Sequence, residues 1–204
     1  MSAVSETMVR EFFEQHGFLV RQQRKYIAPT RPREDDEIDF FVLNPQPSPA
    51  ADLPFVLASS DLAGISRAVV VVKGWHTETF SPGLLASAPE IFRFLEPAAF
   101  GHAARAFGEA GEPSRILVLP ALPVGAEARR QSIALLQTKG IDAVILFRTI
   151  LADLIDQIEV NRNYQKSDLL QIIRILKNYG FVKELQLELF KPKRKQSRKK
   201  ATLP

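Results

Sequence analysis

The chain of 204 residues contains no cysteine. That removes disulfides, thiolate metal sites, iron–sulfur clusters and cysteine nucleophiles together, and a reducing cytoplasm is the compartment it fits. No apolar run approaches the roughly 20 residues needed to cross a bilayer. Met1 to Arg10 carries Glu6 and no apolar segment behind a basic start, so it does not read as a signal peptide and no membrane partner is expected. Glycine-rich phosphate loops are missing, both the dinucleotide type and the type ending in Gly-Lys. His16, His76 and His102 stand apart without metal-ligand spacing, and no serine sits in a nucleophile elbow, which argues against a hydrolase triad. The 14 prolines and 10 glycines follow no period, so collagen and linker arrays are excluded.

What is present is 46% hydrophobic and 25% charged, the composition of a folded soluble protein. The net charge of +4 is unevenly placed. Lys191, Lys193, Arg194, Lys195, Arg198, Lys199 and Lys200 follow one another with no acid between them; without them, 20 basic residues face 23 acidic ones. The basicity therefore belongs to residues 191–204, a tail expected to be disordered. It serves either as a solubilising segment or as an arm contacting nucleic-acid phosphates.

Periodicity orders the rest of the chain. Val4, Met8 and Phe12, with Val9 and Phe13, make the apolar stripe of a first helix capped by Ser2 and stopped at Gly17. Phe18 to Tyr26 reads as a strand, and the turn from Pro29 to Asp36 leads to a second over Glu37 to Leu43, with Ile38, Phe40 and Val42 on one face and Phe41 and Leu43 on the other. A proline-rich connection, with a short apolar piece at Phe55 to Leu57, precedes Ala68 to Val72, the clearest buried strand. Pro89 opens a helix through Ile91, Phe92 and Leu95. Arg115 to Leu119 and Ala143 to Phe147 are strands, Ala126 to Lys139 is a helix, and Thr149 caps a helix carrying Ile150, Leu154 and Ile158. Ser167 caps a further amphipathic helix ended by Gly180, after which Leu185, Leu187 and Leu189 alternate as a strand. The expected class is α/β, a mixed central sheet flanked by helices, with residues 1–160 as the main domain and 161–190 as a small helix-strand appendage.

Two charges interrupt apolar strands. Asp39 lies within Glu-Ile-Asp-Phe-Phe-Val-Leu, and Lys73 ends Val-Val-Val-Val-Lys-Gly-Trp. Burying either alone is costly, so each needs a partner or a metal. A strand carboxylate can hold a divalent metal, and a nearby lysine can orient water and stabilise charge on a phosphate. Taken singly, each residue more often serves structure: an aspartate satisfied by backbone donors, a lysine reaching to water. Trp75 and His76, just beyond Lys73, could contact a substrate, although a tryptophan there is more often core. Arg174 and Lys177 lie on the polar side of the helix after Ser167, which could read DNA or simply pack.

The order of a helix with Glu6, a strand, a strand with Asp39, a strand with Lys73 and then alternating helices and strands resembles the restriction-endonuclease-like superfamily, the PD-(D/E)XK phosphodiesterases. The resemblance covers residues 1–160. It implies a DNA-acting protein, a nuclease using Mg2+ or Mn2+ in phosphodiester hydrolysis, with Asp39 as metal ligand, Lys73 as the charge-stabilising and water-orienting group and Glu6 as accessory acid. A homodimer is implied because two strands must be cut. The family's second metal-binding acid, two residues before the lysine, is replaced by Val71. Glu78, Glu90 or Glu37 could supply that oxygen; otherwise the chain is an inactive relative serving as a nucleic-acid-binding or assembly subunit. Outside the superfamily stands a third reading, an α/β interaction protein whose tail only solubilises.

Overall fold

The computed structural model describes residues 3–23, 37–48, 52–97, 99–101, 107–108 and 112–182. The expected first cap at Ser2, the Pro29 to Asp36 turn, His102, the strand through Leu185 to Leu189 and the basic tail lie outside the described residues.

The class is α/β. Six strands, β1 (Leu19–Gln22), β2 (Phe40–Leu43), β3 (Val56–Leu57), β4 (Arg67–Val72), β5 (Ser114–Leu119) and β6 (Ala143–Leu146), form one mixed sheet in the order β1-β2-β4-β5-β6-β3. β1, β2 and β4 pair antiparallel, whereas β4, β5, β6 and β3 run parallel. β4 thus has one neighbour of each kind. Its valines are buried on both faces, as a strand covered by helices on either side requires.

Helices α1 (Ala3–Gln15), α4 (Phe147–Gln157) and α5 (Asp168–Asn178) share one apolar layer with Phe40, Val42, Val70, Val72 and Val118. Helices α2 (Pro82–Ser87) and α3 (Ala126–Thr138) lie on the other face, with two short 3-10 turns at Pro89–Ile91 and Arg93–Leu95. In α1, Val9, Phe12 and Phe13 recur at helical spacing and are fully buried. Its end is set by Gly17 at φ +80°, where the Phe18 amide reaches back to the Phe13 carbonyl at 3.1 Å, a left-handed closure that a side chain would strain.

Several local expectations shift. The helix expected from Pro89 is two 3-10 turns, and a helix that was not anticipated, α2, precedes it, capped by Ser81 whose Oγ accepts from the Leu84 amide at 3.3 Å. α4 starts at Phe147 directly from β6, so Thr149 lies inside its first turn rather than at its cap. Ser167 does cap α5, its Oγ accepting from Leu170 N at 3.3 Å and donating to buried Glu11 of α1 at 2.6 Å. Leu170 and Ile173 of α5 are buried in the layer formed by α1 and α4, and Lys177 Nζ donates to the carbonyls of Ile155 and Ile158 near the end of α4.

The alternation expected along β2 also breaks. Ile38 packs with Phe41 in one layer, while Phe40 and Val42 pack in the other. A strict two-residue period would put Ile38 with Phe40. The break falls at Asp39, whose amide donates to the Val70 carbonyl at 3.2 Å although Phe40 is the residue in register with Val70. Two residues against one is the arrangement of a β-bulge, which re-aims the side chain it carries.

Candidate functional site

The parallel strands β4, β5 and β6 end on the same side of the sheet, the side on which open α/β sheets place ligand crevices. Asp39 and Lys73 lie at this end. Asp39 is 1% exposed and Lys73 is 7% exposed. The bulge turns the Asp39 carboxylate into the ladder, where Oδ2 accepts the Val72 amide at 2.7 Å. A side-chain oxygen thus takes the place of a strand carbonyl, and it does so on the residue immediately before Lys73. Beyond β4, Lys73 N–H donates to Val118 O at 2.9 Å, and its Nζ donates to the main-chain carbonyl of Glu90 at 3.3 Å.

The other expected acids are differently engaged. Glu6, on α1, accepts from Gln22 Nε2 of β1 at 2.8 Å. Glu37 forms an ion pair with Arg93 at 3.7 Å, both side chains being at least a third exposed. Glu78 lies exposed in a turn closed by its amide on the Trp75 carbonyl. It is through its main chain that Glu90 meets Lys73. Val71, at the position of the missing acid, is fully buried in the layer of Val69 and Leu117.

A hard dication needs several oxygens converging on one point. Asp39 spends one oxygen on a backbone amide, Val71 offers none, and among the described residues no three His, Cys, Asp or Glu side chains gather as a metal-binding group. The donor set described here does not fit Mg2+ or Mn2+.

His76 and Trp75, noted in the sequence just beyond Lys73, are joined at this end by Ser5 and Arg148, which the sequence did not single out. Ser5 of α1, 2% exposed, sets its Oγ 3.0 Å from Nε2 of exposed His76. The same ring stands edge-on to Phe147, with centroids 4.6 Å apart. Gly74 makes this approach possible: a Cβ there would lie 2.8 Å from Ser5 Oγ. Trp75 stacks on Phe80 at 5.7 Å and packs against the core, the commoner fate of such a residue. Beside His76 opens a groove of about 520 Å3, floored by Pro120, Phe147, Leu151 and Ile155 and edged by exposed Arg148.

The opposite end of the sheet holds a second polar cluster. His16, after α1, places Nε2 2.9 Å from Asp153 Oδ2 of α4, and Gln157 Nε2 donates to the same oxygen at 2.9 Å. A cavity of about 520 Å3 beside it is lined by His16, Asn44, Gln46, Ser59, Ser60 and Asp153. No spacing in the sequence announces this pairing, because 137 residues separate His16 from Asp153.

Fold and site together define an α/β protein with a mixed six-stranded sheet and a charged, partly buried end where its parallel strands finish. Comparisons with protein-family models, curated proteins and solved structures found no match. Among the described residues no helix is long and apolar enough to cross a membrane.

Proposed function

We propose that the chain is a DNA-acting protein of the restriction-endonuclease-like type whose principal activity is binding, the role of a nucleic-acid-binding or assembly subunit. The observation that carries this reading is the pair Asp39 and Lys73, buried at the same end of adjacent strands β2 and β4 in a sheet that passes from antiparallel to parallel at β4. The bulge at Asp39 adds a feature common beside functional sites. Against hydrolysis stands the donor set: Val71 is apolar and buried, and the Asp39 carboxylate already serves a backbone amide. The tail from Lys191 to Lys200 would add the sequence-independent attraction to phosphates.

The test is anisotropy of the full chain with fluorescein-labelled single-stranded and duplex DNA at two salt concentrations. Affinity that falls with salt is expected, and removal of residues 191–204 flattens the slope. No binding of either DNA at low salt overturns the proposal. Calorimetric titration with Mn2+, comparing the native chain with Asp39→Asn, examines the hydrolytic reading directly. Equal heats are expected; a heat lost only in the variant would restore Asp39 as a metal ligand and with it the nuclease.

A further inference from the structure

We infer that the groove between the ends of β5 and β6 and the first turns of α4 is a subsite for one nucleotide of a single strand, with Arg148 and His76 taking its phosphate and the apolar floor taking its base and sugar. This rests on the DNA-acting reading and specifies which surface serves it and which form of nucleic acid fits.

Two groups on the rim of this groove are placed for an anion. His76 is exposed, yet its ring is fixed from two sides, by the buried Ser5 hydroxyl and by the edge-on contact with Phe147. Holding Ser5 there requires glycine at position 74. An imidazole oriented in this way keeps Nδ1 available to a ligand. Arg148, next to Phe147 at the start of α4, is exposed, and its side chain makes no hydrogen bond or ion pair with any described residue. Arg130 and Arg174, by contrast, are held, Arg130 by Glu127 at 2.8 Å and Arg174 by the Val160 carbonyl at 2.8 Å, while exposed Arg162 is as open as Arg148 but stands beside no such groove. An arginine fork with no partner among the described residues, beside an oriented imidazole, suits a phosphate diester.

The floor decides the rest. Pro120, Leu151 and Ile155 give an apolar wall over Phe147, and a duplex, whose bases are stacked inside, would bring only its backbone to it. An unpaired nucleotide presents both the phosphate for the rim and an apolar base and sugar for the floor. His76, three residues beyond Lys73, is the groove's link to the end of β4.

The experiment measures binding of a labelled 16-nucleotide single strand, and of a duplex of the same sequence, by the full chain in chelator. Arg148→Ala should weaken the single strand roughly fivefold and lower its salt slope by about 0.7, the value of one phosphate contact. Leu151→Glu, which puts a carboxylate on the floor, should weaken it by about tenfold or more while the duplex changes less than twofold. Arg162→Ala, an exposed cation elsewhere, serves as reference and should change neither. Melting of each variant close to the native temperature shows that it is folded, and Arg148→Lys, which keeps the charge, should recover part of the Arg148→Ala loss; if Leu151→Glu melts early, the Arg148 pair carries the test. Single-strand affinity within twofold of native in both groove variants overturns the subsite while leaving DNA binding intact. So does equal loss on single strand and duplex, or equal loss in Arg162→Ala. Native protein that binds neither DNA overturns the subsite and the DNA-acting reading together.

Discussion

The two ends of the sheet carry similar residues put to different use. At the end bounded by α1's C-terminus, His16, Asp153 and Gln157 satisfy one another, and each bond joins α1 to α4 or runs within α4. At the end where β4, β5 and β6 finish, the charges turn to the backbone: Asp39 to the Val72 amide, Lys73 to the Glu90 carbonyl. That end leaves the Arg148 side chain without a hydrogen-bond or ion-pair partner among the described residues and His76 exposed on a fixed ring. A cluster whose members close on themselves has little left to offer a ligand, however polar its cavity. Chemistry is better sought where the protein has oriented groups and not used them all, because orientation costs free energy that internal packing alone does not explain.

The strongest way to break this contrast is Val71→Glu. The substitution buries a carboxylate where valine is fully enclosed, and a loss of about 3 kcal/mol or more is expected from denaturant unfolding. Thermal melts with and without Mn2+ then carry the information. Stabilisation by metal in the variant alone would show that one acid completes a dication site beside Asp39, so that this end had been a nuclease centre minus one ligand.

Asp39→Ala comes next. It leaves the Val72 amide without its acceptor inside the sheet, so a cost of about 1–3 kcal/mol is expected. Asp39→Asn keeps an oxygen for that amide and should recover much of the loss in urea titration. If both variants lose the same amount, the carboxylate's charge matters more than the hydrogen bond.

His16→Ala sharpens the comparison from the other end. Removing the tie between α1 and α4 should cost about 1 kcal/mol, measured by urea unfolding, with DNA affinity unchanged. Arg148→Ala is expected to show the reverse pattern. A His16 variant that lost DNA affinity while remaining folded would erase the distinction between the two ends.

The smallest effect concerns Glu14, in the last turn of α1 near His16. Burial holds its carboxyl above the usual value of 4.5, with Glu11 adding to the rise and Arg10 opposing it. A group whose folded pKa is raised favours the folded state while protonated, and that contribution is lost as pH rises through the folded value. Glu14→Gln should therefore be slightly more stable than the native chain at pH 7, with the difference vanishing below the unfolded value near 4.5, as read from melting curves across pH. The side chain is 44% exposed, so solvent screening keeps the effect small.

How much of this was legible in the sequence follows from distance along the chain. β4 announced itself because five consecutive small or β-branched residues suit a strand covered on both faces, and the Ser167 cap was visible because capping is local. Asp39 and Lys73 stood out against apolar neighbours, and both are buried. The bulge did not show, since the pattern Ile-Asp-Phe-Phe-Val is equally compatible with an unbroken strand. The start of α4 was misplaced because β6 enters it without a polar cap. Ser5 with His76 and His16 with Asp153 were out of reach: each pair is joined only when β4, β6 and the two helices are stacked. The separations involved are 71 and 137 residues.

The two-residue strand β3 bears on how the chain reaches this arrangement. After β2 the backbone crosses to the far edge, pairs Val56 with Val144 and Leu57 with Ile145, and returns to build β4 in the middle. Contacts between β1, β2 and β4 close short loops by comparison, whereas β3 must wait for a partner synthesised much later. Loop-closure entropy places its docking late in folding, after β5 and β6 are in place. So short a strand, held at the sheet's margin, should also be the first to open, with the Val144 amide, which donates to Phe55 O at 2.7 Å, exchanging its hydrogen sooner than the valine amides of β4. Order of assembly and order of local opening would then mirror each other, with β3 last in and first out.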